Sequence, residues 1–379
     1  MSPDGKPAPK PPLTSFGWGY NNYAGLGLGH TARVLSPTPV RLPEKTIDVQ
    51  GGTDFSVALT KSGAVFAWGG NRWGQLGDGT IQQRFAWTQV KLPTRSAIVA
   101  ISAGDDHVLA LSRSGQVFAW GRNDVGQVGA GSLSDRQARP VAVPMPGKGR
   151  ITGLAAGSSC SFGLTSTGAV YGWGHAIPLG AAVAKGQLGA TKGGLGAVPA
   201  PKLLSLAGSA RAAAVDAGRR HLVVLTTSGE LLAYGVTVVG RPAPEKPKLN
   251  KAWGRVTQVS AGDDHTLALT ESGVVLAWGS NRSGQLGNGW RDNSDQPVKV
   301  VISGLRGRVE QVLAAGNSSF ARTGDRIYGW GDSGWGQHGT GGTDEVLRPA
   351  AVALPGKSAA TALYSGRHHC FASTAPTAG

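Results

Sequence analysis

Residues 104–129 read GDDHVLALSRSGQVFAWGRNDVGQVG. A glycine and three further residues lead into Val108-Leu109-Ala110-Leu111, where small and branched side chains alternate as in a buried strand. Arg113-Ser114-Gly115 then breaks the run with glycine third, the position that a three-residue hairpin loop holds in the left-handed region. A second strand ends at Trp120-Gly121, and a Gly-Gln-Val-Gly turn follows at 126–129. One glycine, one hairpin, one tryptophan and one turn make a unit of about fifty residues, a period typical of repeat architectures.

The unit recurs along the whole chain. Aromatic-glycine pairs stand at Trp18-Gly19, Trp68-Gly69, Trp120-Gly121, Trp173-Gly174, Tyr234-Gly235, Trp278-Gly279 and Trp330-Gly331. Leading glycines stand at 52, 104, 157, 218, 262, 316 and 366. From glycine to aromatic residue the distance is 16 in five cases and 14 in the sixth, which predicts a hairpin of constant length. The seventh glycine, Gly366, is followed by His368-His369-Cys370-Phe371-Ala372 and no partner strand. The missing partner is Leu13–Trp18 at the other terminus, which has no hairpin of its own. Pairing the two closes a ring and leaves no open edge between first and last units. The expected fold is all-β: a seven-bladed β-propeller of four-stranded blades over 13–373, with tails at 1–12 and 374–379. The strand after each leading glycine is expected to lie innermost, and the tryptophans to fill the gaps between blades.

The chain of 379 residues holds 60 glycines and 22 prolines, yet 40% of it is hydrophobic and eleven residues are tryptophan, which excludes disorder for its bulk. Thirty-seven basic against 22 acidic residues give a net charge of +15. The basic residues are scattered and form no long run, so nucleic acid ranks behind protein as a partner. Cys160 and Cys370 lie in different units and no CxxC occurs, which supports neither a disulfide framework nor a zinc site. No apolar run reaches the length that spans a bilayer, and residues 1–12 are polar and proline-rich with no signal-peptide core. The expectation is a monomer with no cofactor, cytoplasmic or secreted, with a protein as first partner and a small ligand at the channel mouth as an alternative.

Residues 68–79 (WGGNRWGQLGDG) and 278–289 (WGSNRSGQLGNG), with the Gly-x-x-His-x-x-Ala-Leu segments at 104–111 and 262–269, resemble the regulator-of-chromosome-condensation repeat. The resemblance implies a seven-bladed propeller over nearly the whole chain. For function it implies several alternatives, since the family includes a nucleotide exchange factor for a nuclear GTPase, ubiquitin-ligase modules and a β-lactamase inhibitor. The exchange factor's β-wedge has no counterpart here. Two units depart from the pattern. The fourth carries seven extra residues within 175–185, and the fifth has Tyr234 for tryptophan and Arg-Pro-Ala-Pro-Glu-Lys-Pro-Lys at 241–248 in place of the turn.

The two residues after each leading glycine are expected to line one mouth of the central channel: Thr53-Asp54, Asp105-Asp106, Ser158-Ser159, Arg219-Arg220, Asp263-Asp264, Asn317-Ser318 and Arg367-His368. Charge that varies on a constant frame suits recognition. The candidate binding residues are therefore Asp54, Asp105, Asp106, Arg219, Arg220, His221, Asp263, Asp264, Arg367 and His368. The next position holds His107, His221, His265 and His369, and recurrence around a ring favours a structural hydrogen bond over a metal site. The carboxylates at 105–106 and 263–264 sit in nearly opposite units, which is expected to hold them far apart and count against paired acid-base catalysis. No GxSxG, HExxH or P-loop occurs. The first reading is a non-enzymatic binding scaffold or inhibitor that engages a protein through one face. The alternatives are an exchange factor for a small GTPase and an enzyme with an acid-base site at the mouth.

Overall fold

Small residues and glycine turns at a fifty-residue period produce short antiparallel sheets that cannot bury both faces alone, and stacking them around an axis solves the problem. The computed structural model describes residues 15–147, 149–176, 196–235, 246–305 and 307–374, with 27 strands among them. They form seven sheets: six of four strands, and the fifth with three strands among the described residues. The extra residues of the fourth unit lie outside the described residues from 177 onward, as do 241–245 of the fifth.

Blade 1 closes the ring. Strand Ser15–Gly19 pairs with His369–Thr374 in the register Phe16 with Ala372 and Trp18 with Cys370. The sheet is completed by Val34–Pro39 outside and Ala360–Ser365 inside.

One expectation needs correcting. The innermost strand of each blade precedes the leading glycine, as in Thr46–Gly51, Ile98–Ala103 and Val256–Ala261, and these strands line the channel. The strand after the glycine is second in its sheet, sandwiched between blades, and Phe55–Thr60, His107–Ser112 and His265–Thr270 are buried at every residue. Alternation of small and branched residues marks a strand covered on both faces, which a second strand is and an inner edge strand is not.

The inner strands have one free edge each, and side chains of neighbouring blades satisfy part of it. Ser102 Oγ accepts the Ala156 N–H at 2.9 Å, and Asp216 Oδ2 accepts that of Ala261 at 2.8 Å. Gln258 brackets Val312, accepting from its N–H at 3.1 Å and donating to its carbonyl at 3.0 Å. The polar residues on these strands thus serve the backbone, as buried polar groups must.

Deleting residues 13–19 should expose the edge of His369–Thr374 and lower Tm by about 10 °C or more, whereas deleting 1–12 should change it by no more than about 2 °C. Differential scanning calorimetry of the two truncations checks this, and equal melting temperatures would contradict closure by the terminal strand.

Candidate functional site

The seven leading glycines stand in a ring where the inner strands turn into the second strands. A Cβ on Gly104 would lie 2.3 Å from Cε1 of His107 and 2.3 Å from the carbonyl oxygen of Gly157 in the next blade. Only a hydrogen fits there. Backbone hydrogen bonds run round the ring from blade to blade: Thr53 to Asp105, Asp105 to Ser158, Ser158 to Gly218, Arg219 to Asp263, Asp263 to Gly316 and Arg367 to Gly52. The hairpins after the glycines are therefore held by their neighbours, and their side chains are free to vary.

Each joint between blades carries a second set of bonds. Trp173 Nε1 and Ser161 Oγ both donate to the Gln127 carbonyl of the preceding blade's turn, at 3.0 and 2.8 Å. Trp330 and Ser319 share the Gln285 carbonyl in the same way, and Trp68 and Ser56 share that of Gly25. With the serine proton committed, its oxygen accepts from a histidine Nε2 of the preceding blade: His107 to Ser161, His265 to Ser319 and His369 to Ser56, each at 2.8 Å. His221 meets Thr266 at 3.0 Å. The imidazoles of His107, His265 and His369 are therefore neutral Nε2–H tautomers. Burial pushes His107 and His221 down to about 4, and His265 and His369 to about 3. His221 thus belongs to the frame of the ring, not to the open mouth. Blade 7 departs by one residue, since Ser318, not Ser319, sits opposite Gly331 where the other blades place histidine, phenylalanine or cysteine.

The sequence-derived mouth residues divide by position. The first residue of five pairs faces the channel, a cavity of about 390 Å³ lined at this end by Asp105, Ser158, Arg219, Asp263 and Arg367, whereas Thr53 lines a second hollow and Asn317 accepts from Gln285 Nε2 at 3.4 Å. Arg367 spans the opening, donating to Asp105 Oδ2 through Nη1 and to Asp263 Oδ2 through Nη2, both at 2.6 Å. Ser158 adds a bond to the same Asp105 oxygen. The two carboxylates expected far apart are within reach of one guanidinium, because the ring of glycines draws opposite hairpins together. Arg219 and Arg220 both bond Asp264. Burial alone would raise the Asp264 carboxyl, but these two arginines hold it below its usual range. Among the described residues no group of histidine, cysteine or acidic side chains could hold a metal ion.

The second position points outward from the axis. Asp54 and Asp106 line a separate hollow of about 320 Å³ with Tyr23, Trp73, Ile81 and Gln83. Burial pushes Asp106 up to about 6, helped by the charge of Asp105, and burial also raises Asp54. Sequence reasoning missed the aromatic residues here. Trp335, Tyr23 and Trp73 occupy one repeat position, five after the blade tryptophan, in three successive blades. Arg33 lies 4.7 Å from the Trp335 ring centroid, Arg122 lies 4.7 Å from that of Trp73 and Arg72 lies 5.1 Å from it. Tyr20 meets Trp335 edge-on at 4.8 Å and His368 at 6.2 Å. The signal was present as bulky aromatics where other units have Val125 and Ser283.

Residues 87–377 match the RCC1-like domain family, and residues 15–59 and 62–111 match the regulator of chromosome condensation (RCC1) repeat. The chain belongs to the RCC1-like family. This RCC1-like propeller is 30% identical over 365 residues to the ultraviolet-B receptor UVR8 of Arabidopsis thaliana, a match covering 94% of the chain and 70% of that protein. It is 30% identical to the human probable E3 ubiquitin-protein ligase HERC4 over 67% of the chain, spanning only 19% of the ligase. Among solved structures it is similar to human WBSCR16, with a TM-score of 0.81, 21% identity, and coverage of 96% of this chain and 99% of that one. Prp20p of Saccharomyces cerevisiae gives a TM-score of 0.82 at 21% identity, with coverage of 98% and 93%.

Two predictions follow the geometry of the RCC1-like ring. Six histidines, His107, His265, His338 and His369 buried and His221 and His368 partly so, have native values of about 3 to 4. In the unfolded chain they take up protons near pH 6.5, so acidification from 6.5 to about 4 favours unfolding. Asp48, Asp106 and Asp216, raised by burial to about 6, act in the opposite sense over about 6 to 4. The histidines outnumber them, and urea unfolding should show less stability at pH 5 than at pH 7, with a smaller loss in His107→Gln. A flat or rising profile contradicts the neutral-imidazole joint. Separately, Arg367→Met should cost about 2–4 kcal/mol by removing the cation shared by two partly buried carboxylates, of which Asp105 keeps only its bond from Ser158. Arg219→Met should stay within about 0.5 kcal/mol, since Asp264 keeps Arg220. Chemical denaturation of both variants is the measurement.

Proposed function

We propose that this chain is a non-enzymatic binding module that holds a protein partner on the loop-bearing face of the propeller, around the channel mouth. The observation that carries the proposal is the arc of Trp335, Tyr23 and Trp73 across three adjoining blades, flanked by Arg33, Arg72 and Arg122 and bordering the Asp54–Asp106 hollow. Tryptophan, tyrosine and arginine are the residues that dominate protein interfaces, and a rigid frame limits the entropy lost when they are covered. Asp105, Asp263 and Arg367 compensate one another inside the mouth. Asp54, Asp106, Arg219, Arg220, Asp264 and His368 then form the variable rim that gives the partner its register. Relatives support the class. Prp20p is described with its binding to Gsp1p and histones, and with Kap60 bound to it.

Nucleotide exchange on a small GTPase is the second reading, carried by membership of the RCC1-like family, whose resemblance implies an exchange factor among its members. Accelerated release of labelled nucleotide from candidate GTPases by the purified chain would establish it. For the first reading, the tagged chain captures partners from its own cell extract, identified by mass spectrometry. Trp73→Ser combined with Trp335→Ser should weaken capture of the main partner by about tenfold or more while leaving Tm within about 2 °C. Undiminished capture by this variant would move the interface off the aromatic arc.

A further inference from the structure

The outermost strand of a propeller blade is an open edge, a template for another chain unless it is blunted. Five of the six outer strands among the described residues carry a proline at one structural position, the residue before the one that re-enters pairing after a bulge: Pro37, Pro140, Pro201, Pro297 and Pro349. All five prolines are buried. A proline there removes the edge N–H and fixes the backbone, and its presence in five blades means the blade itself does not use that N–H. Blade 2 has Trp87 at this position, just before Thr88, which pairs with Ala67. Trp87 is 42% exposed, and Phe85 two residues earlier is 48% exposed.

The turn that this strand meets also differs, by one methyl group. In four other blades the residue two before the proline packs its backbone on a turn glycine of the preceding blade. A Cβ on Gly74, Gly126, Gly284 or Gly336 would lie 2.6, 2.5, 2.9 or 3.0 Å from the Cα of Ala138, Pro199, Leu347 or Leu35. The preceding blade for Trp87 is blade 1, and there the turn residue is Ala24, fully buried with φ +61°. Its methyl occupies the space into which the outer strand settles elsewhere. In the strand Arg84–Gln89, Phe85, Ala86 and Trp87 are exposed in succession.

We infer that the outer edge of blade 2 is a second docking site, taking an extended acidic segment of a partner protein that adds as a fifth strand. Charge selects the occupant. From Gly79 to Gly104 the chain contains no aspartate or glutamate, while Lys91 and Arg95 are exposed. The carboxylate just before this stretch, Asp78, is held by Arg84 at 2.7 Å. A second copy of a chain with net charge +15 meets repulsion here, whereas an acidic strand gains both the free backbone edge and apolar contact with Phe85 and Trp87.

The test uses the full chain and a fluorescein-labelled peptide of about ten residues alternating glutamate and valine, followed by anisotropy. The native chain should bind it, and Trp87→Pro should bind about tenfold or more weakly while keeping its Tm, since five blades already carry proline there. Should Trp87→Pro fail to fold, the combined Phe85→Ser and Trp87→Ser variant should give the same loss. The Trp73→Ser and Trp335→Ser variant should bind the peptide as the native chain does, which separates this site from the proposed face. Undetectable binding by the native chain at about 100 µM, equal binding by the blade 2 variants, or equal binding of a lysine-valine peptide would each overturn the inference. A native dimer that Trp87→Pro converts to monomer would overturn it in favour of a second copy.

Discussion

Five of the seven joints, as seen among the described residues, rest on one kind of contact: a turn carbonyl in one blade that receives the indole N–H of the next. Gln75, Gln127, Gln285, Gln337 and Gly25 supply such carbonyls to Trp120, Trp173, Trp330, Trp18 and Trp68, at 2.6–3.0 Å. A buried carbonyl that lost its donor would be costly, and the indole fills the space between blades while making the bond. Glycine follows in the turn because the indole leaves no room for more. A Cβ on Gly129 would approach Nε1 of Trp173 to 2.5 Å. The repeat's most recognisable letters, tryptophan and the Gly-Gln-x-Gly turn, are therefore two halves of one contact, written in adjacent units.

This frame explains how charged hairpins can differ from blade to blade without loss of the fold. The backbone ring at the leading glycines fixes where each hairpin sits, and side chains add what they can. In the mouth they cancel, with Arg367 between Asp105 and Asp263. Outside it they stay distinct, with the Asp54–Asp106 hollow on one side and the arginine pair on Asp264 on the other. A protein that is strongly basic overall thus presents a locally acidic recess beside stacked arginines.

Much of the architecture was legible because its period is long and its marks are chemically unusual. Constant spacing from glycine to tryptophan gave the hairpin, and the unmatched ends gave the closure. The order of strands within a blade was not legible, since burial on both faces looks the same in sequence whether a strand lies first or second from the axis. Spacing also put Ser318 among the mouth residues, whereas it takes the histidine position of its blade, because the link from Gly316 to the strand is one residue shorter there. At the site, the variable residues were identified but their mutual distances were not: nothing in the sequence says how narrow the ring is, and that narrowness lets Arg367 reach two carboxylates. The aromatic arc was overlooked because each aromatic, taken singly, is an ordinary loop residue. It becomes visible only when blades 7, 1 and 2 are known to be neighbours.

The histidine bonds have a consequence for how the seven blades are arranged. Where a blade carries histidine, at 107, 221, 265 and 369, the following blade offers Ser161, Thr266, Ser319 and Ser56. Where a blade carries Phe55, Cys160 or Ser318 instead, the following blade has Val108, Leu222 or Cys370. The blades are thus keyed. Exchanging two of them, or duplicating one, would set an imidazole against an aliphatic side chain or a hydroxyl against a ring that cannot donate to it. A propeller with such keys is one molecule with a set sequence of parts, and its lineage is expected to change by paired substitution across a joint sooner than by shuffling of whole repeats.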